Sequence, residues 1–115
     1  MIKKIKLMAD YQCWPLWYKE GFDGKVGVID PDELSLSSET SERLIRWGKR
    51  FDATLNWDNP LDESYRFSEH DLKDFEQEGI SLWKKIQEEL GSDYEVSYYS
   101  QKLRKDISNP EEISS

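Results

Sequence analysis

The stretch Phe67-Ser68-Glu69-His70-Asp71-Leu72 opens the pattern that most restricts how this chain can fold. Ser68 is placed to cap a helix, Asp71 to reach back as in a capping box, and Phe67 to staple against Leu72. Leu72, Phe75, Gly79, Leu82, Ile86 and Leu90 then recur at helical spacing with Trp83 beside them, and Gly91 stands where a left-handed C-terminal cap is wanted. A helix with one apolar stripe needs a second layer to cover it. Gly79 within that stripe predicts a close approach by another helix or a strand.

A second helix is expected after Ser37 or Ser38. Either serine can cap it, Glu39 and Glu42 suit its positive N-terminal end, and Leu44, Trp47, Phe51 and Leu55 repeat at helical spacing. Arg43, Arg46, Lys49 and Arg50 flank that face as a basic stripe. Residues 2–9 alternate imperfectly, with Ile5 and Leu7 on one side and Lys4 and Lys6 on the other, and read as a half-solvated strand. Residues 94–103 read as a last strand, with Tyr94, Val96 and Tyr98 on one face and Glu95, Ser97 and Tyr99 on the other. A short strand over residues 25–30 is a further expectation, and residues 56–67 read as a loop. The economical architecture is an α+β two-layer sandwich: two antiparallel helices packed on a small sheet formed by the N-terminal and C-terminal strands. Residues 1–103 are expected to form a single domain and residues 104–115 a flexible acidic tail.

Length and charge narrow the function classes. The 115 residues suit one domain with one core, and the formal net charge of −8 argues against nucleic acid and against anionic membrane surfaces, both of which select Lys and Arg. A basic partner is favoured instead. The single cysteine cannot close an intramolecular disulfide, no signal-peptide pattern opens the chain, and no apolar run could cross a bilayer, so a cytoplasmic protein is expected.

Residues 9–22 gather Tyr11, Trp14, Trp17, Tyr18 and Phe22 around Cys13. These rings are expected to be mostly core, with Trp14 or Trp17 exposed enough to anchor a partner. A nucleophilic Cys13 needs a base, and His70, the only histidine, is expected on an exposed helix start. One Cys and one His leave no zinc site of the usual spacing. Asp58–Glu63 fails as a calcium loop because Pro60 and Glu63 occupy its ligand and glycine positions, and Gly21, Gly24 and Gly27 fit no phosphate-binding fingerprint. No catalytic residue set, metal site or cofactor is therefore expected, and no enzyme.

Charge carries the positive expectation. Residues 58–78 hold eight acids against two bases, a net −6. An acidic surface with embedded rings suits a basic protein partner. Asp58, Asp62, Glu63 and Glu69 are expected to imitate phosphates while Trp57 and Tyr65 fill apolar pockets, with Asp30, Asp32 and Glu33 as a second patch. The alternative is a small enzyme or ligand-binding domain with a pocket around Asp10, Tyr11, Cys13 and Trp17, beneath the two helices.

The segments IKLMADYQCWPLW, GVIDPDELSLSSET, LIRWGKRFDATLNWDNP and DYEVSYY resemble, in this order, those of a set of small acidic bacterial proteins, over most of residues 5–99. That likeness brings no catalytic assignment. In size, acidity and absence of a catalytic set, the chain is also similar to immunity proteins of contact-dependent growth inhibition and other bacterial toxin systems. This second resemblance implies a non-catalytic protein that binds and neutralises a cognate toxin domain, with a basic nuclease as the expected partner.

Overall fold

In a computed structural model the chain is described over residues 2–19, 27–55 and 57–108. Strands β1 (Lys3–Leu7), β2 (Leu16–Tyr18), β3 (Tyr94–Ser100) and β4 (Lys105–Ile107) form one sheet in the order β2-β1-β3-β4, and helices α1 (Ser38–Asp52) and α2 (Glu69–Leu90) pack on it. In the centre β1 and β3 run parallel, with Ile5 opposite Val96 and Leu7 opposite Tyr98, while β2 and β4 pair antiparallel at the edges. The α+β two-layer sandwich is as the sequence implied.

Both helix caps form as expected. Ser37 accepts from the Thr40 amide and Ser68 from the Asp71 amide, and Gly91 ends α2 at φ +74°. The start of α1 is tied to the end of α2, because Glu89 accepts from the Ser37 amide and from the hydroxyls of Ser37 and Thr40. Further along α1, Arg43 pairs with Glu78, and then Trp47 donates to the Phe75 carbonyl at 3.0 Å. Contacts that advance along one helix and retreat along the other make the pair antiparallel.

The core lies between helices and sheet. Ile5, Leu7, Leu16, Val96, Tyr98 and Ile107 bury against Leu44, Trp47, Phe75, Leu82, Trp83 and Ile86. Trp83 stacks on Tyr98 and donates to the Val96 carbonyl at 2.7 Å, which fixes α2 over β3. Gly79 is what allows that approach: a Cβ there would stand 2.5 Å from the Tyr98 hydroxyl and 2.8 Å from Trp47. The Tyr98 hydroxyl is buried without a hydrogen bond of normal geometry among the described residues. Burial, reinforced by the Glu76 carboxylate, pushes its pKa well above the ordinary tyrosine range.

The opposite face of the sheet carries Lys6, Trp17, Ser97 and Asp106. Lys6 on β1, opposite Ser97, reaches Asp106 on β4, opposite Tyr99, at 3.7 Å, so the ion pair runs diagonally across β3, where Ser97 is buried.

Several expectations need correction. Residues 16–18, within the aromatic stretch for which no strand was expected, form strand β2. Of the strand expected over residues 25–30, Lys25 and Val26 lie outside the described residues, and Val28 makes only an isolated bridge to Trp17. The tail expected from residue 104 instead contributes β4, because Ile107 lies opposite Tyr98 and adds a buried side chain to the core; residues 109–115 lie outside the description. Leu55 falls beyond the end of α1, and Phe67 packs on the Phe75 ring at 4.8 Å.

The turn between β3 and β4 is fastened by a group that sequence pattern alone assigned to the acidic surface. Glu76 is buried on α2, and its carboxylate accepts from the Ser100 hydroxyl at 3.0 Å, the Gln101 amide at 2.8 Å and the Lys102 amide at 3.3 Å. Such donors replace the water the carboxylate has lost.

Candidate functional site

The candidate surface is built around the turn of residues 10–15. Asp10 accepts from the Tyr11 amide at 2.8 Å, and Gln12 adopts φ +56° while its amide donates to Asp52 on α1 at 2.9 Å. Tyr11 stacks on Phe51 with ring centroids 4.6 Å apart, shares a hydrogen bond with the Thr54 hydroxyl at 3.1 Å, and receives Trp57 edge-on at 5.7 Å. The end of α1 therefore holds the turn on one side and the loop after it on the other. Trp57 is fixed on its inner edge and 48% exposed.

Beyond Trp57 the loop is open. Asp58, Glu63 and Tyr65 are exposed, Leu61 is 90% exposed, and Asp62 is half-buried and accepts from the Ser64 amide at 2.9 Å. Glu69 is exposed in the first turn of α2. Tyr65 borders a depression whose lining includes the guanidinium side chains of Arg50 and Arg66, so the ring has cations as neighbours as well as acids. The acidic surface is also smaller than the segment charge implies, because Glu76 is buried and Glu78 pairs with Arg43.

The second acidic patch lies on a short 3-10 turn, Pro31–Glu33. Asp30 caps it by accepting from the Asp32 amide at 3.0 Å, which gives Asp30 a structural part, while Asp32 and Glu33 are exposed.

The four residues of the alternative pocket are not brought together. Cys13 lines a groove of about 440 Å³ with Trp14, Pro15, Val28, Ile45 and Gly48, and Lys49 and Asp52 stand in its wall. Tyr11 turns away from it into the Phe51 and Trp57 rings. Trp17 belongs to β2 and donates to the Met8 carbonyl at 3.0 Å. The groove therefore runs along the outer side of α1 and not beneath both helices. Burial and then the nearby Asp10 and Asp52 carboxylates raise the Cys13 thiol pKa, which disfavours the thiolate a nucleophile needs. His70 is exposed beside Asp74 at 3.4 Å and does not line the Cys13 groove.

The aromatic segment is also less of a core than expected. Trp14 is 44% exposed, Tyr11, Trp17 and Tyr18 are half-buried, and Phe22 lies outside the described residues. The fully buried rings come from the helices and β3 instead. Sequence reasoning missed the groove because Ile45 reads as a helical position off the main stripe; its exposure beside Trp14 becomes meaningful only once the turn is laid against α1.

Among the described residues no cluster of three or more potential metal ligands occurs, and no helix is long and apolar enough to cross a membrane. No curated protein matches the sequence. The likeness to immunity proteins drawn from the sequence has direct support: residues 3–101 match the model of the Serratia CdiI immunity protein-like family, and the chain belongs to that family.

Proposed function

We propose that this chain is an immunity protein that binds a cognate toxin domain in the cytoplasm and blocks it without catalysing a reaction. Family membership across residues 3–101 carries this reading. The partner's chemistry is inferred from the surface: Asp58, Asp62, Glu63 and Glu69 follow a Trp57 already held on its inner edge by Tyr11, an arrangement that suits a basic substrate groove such as a nuclease presents. Complementary charge speeds encounter, while a ring fixed before binding has little rotamer freedom left to lose. Asp32 and Glu33 add charge at the edge of the Pro31–Glu33 turn.

The test is co-expression with the toxin domain encoded beside this chain's own gene, followed by titration calorimetry of the purified pair. Rescue of growth and a tight complex that weakens with salt are expected. Substituting Asp58, Asp62 and Glu63 together by Lys should weaken binding by several kcal/mol, since breaking a buried charge pair costs about 2 to 5 kcal/mol. Unchanged affinity in that variant removes these residues from the interface, and absence of both rescue and binding rejects the immunity reading.

A second reading is favoured by one observation, the 440 Å³ groove at Cys13, which falls within the size range of small-ligand sites. A small molecule whose binding is lost on Cys13→Ser, with the fold intact, would support it.

A further inference from the structure

We infer that the groove between the turn at residues 13–15 and the outer side of α1 is the apolar half of the toxin-binding surface, and that it receives an aliphatic side chain from a basic segment of the toxin. This rests on the immunity reading above. Trp14 and Ile45, 44% and 37% exposed, are its exposed apolar residues, and buried Pro15 lies against buried Gly48 in the same lining. An exposed ring and an exposed aliphatic side chain beside buried apolar residues form the kind of pocket in which interface anchors concentrate.

Charge selects the occupant. Asp52 stands in the wall with Lys49, Asp10 acts on Cys13, and Ile45 is shared with an adjoining depression that carries Asp32 and Glu42. Within the lining Lys49 balances Asp52, and the carboxylates of Asp10, Asp32 and Glu42 just outside it make the surroundings anionic, complementary to an aliphatic residue flanked by Lys or Arg. The same turn ties the groove to the acidic loop. Gln12 and Cys13 line it, and the preceding residue, Tyr11, supports Trp57. One partner surface can thus meet the acidic loop on one side of the turn and the groove on the other.

Cys13 supplies a readout in the unaltered protein. It is the sole cysteine and a half-buried member of the lining, so alkylation of this chain by iodoacetamide, followed by mass spectrometry at mildly alkaline pH, reports whether the groove is filled. With the neighbour-encoded toxin domain bound, the rate should fall about tenfold or more, because a thiol must be reached by solvent to react. In parallel, Ile45→Ala and Trp14→Ala should each weaken binding by about thirtyfold, mainly through faster dissociation, with the salt dependence retained. Both positions are exposed, and matching thermal melts verify that the variants fold. Equal alkylation of free and bound protein, or undiminished affinity in both variants, overturns the groove assignment while rescue by the wild-type protein leaves the immunity reading standing. If the wild-type protein neither binds nor rescues, both are lost together.

Discussion

Gly79 and Gly48 are both buried on helices, yet they stand against very different neighbours. At Gly79 an added methyl group would meet the Tyr98 hydroxyl, Trp47 and the Tyr98 ring at 2.5, 2.8 and 2.9 Å; at Gly48 it would meet only Pro15, at 3.5 Å. The first region is a seam closed by shape, where α2 sits directly on β3 and the other helix's indole. The second is a turn resting on α1, held by the Gln12 and Tyr11 hydrogen bonds and leaving a groove along its edge. Rigidity is concentrated where the sheet is covered, and open surface where the turn meets the helix.

The sharpest way to break this contrast is Gly79→Ala. Overpacking should cost about 2 to 3 kcal/mol, outweighing the better helix propensity of alanine, and urea denaturation should show a lowered midpoint. A neutral result would mean that the seam yields as readily as the turn. Next in size, Glu76→Ala removes the acceptor shared by Ser100, Gln101 and Lys102 and should cost about 2 kcal/mol, with faster hydrogen exchange at the amides of residues 101 and 102.

Gly48→Ala should act in the opposite direction. With only ordinary contact against Pro15, helix propensity decides, and the variant should gain up to about 1 kcal/mol in the same denaturation measurement. A loss instead would show the turn to be packed as tightly as the seam.

The smallest expected effect lies at the junction of the helix ends. Despite the cost of partial burial, the hydrogen bonds from Thr40 and Ser37, with Lys85 nearby, hold the Glu89 carboxyl below its ordinary value of 4.5. A carboxylate with a lowered folded-state pKa contributes stability above its unfolded value and loses it as pH falls through the folded one. The difference in stability between wild type and Glu89→Gln, measured by thermal melts, should therefore be present at pH 7 and shrink below pH 4.5. Tyr98 works in the opposite sense, its contribution being complete below about pH 10 and declining above it.

The helices and β3 were legible in the sequence because each carries enough residues for its period to repeat, and because Ser37, Ser68 and Gly91 have local geometry that needs no distant partner. Gly79 was legible as a close contact for the same reason: a glycine inside an apolar stripe has few other uses. Strands β2 and β4 were not, since each spans three residues and acquires its pairing only from β1 or β3. Glu76 was misread as surface charge, because the donors that permit its burial lie on a turn about 25 positions away. The groove at Cys13 was equally hidden; its exposed apolar residues, Trp14 and Ile45, come from two segments whose juxtaposition no local pattern encodes. Of the expected binding residues, Asp30 is one whose local use as a cap the charge pattern did not reveal.

The parallel pairing of β1 with β3 sets the order of events as the chain emerges from the ribosome. Lys3 lies opposite Tyr94, 91 positions later, so the first strand has no central partner until most of the protein has been made. At about 5 to 20 residues per second, that interval lasts several seconds. Both helices can form within it, but β3, the strand on which α2 is fixed, arrives only afterwards. Synthesis halted before residue 94 would therefore leave a nascent chain with its helices and only the β1–β2 pair of the sheet, a species for chaperones or proteases.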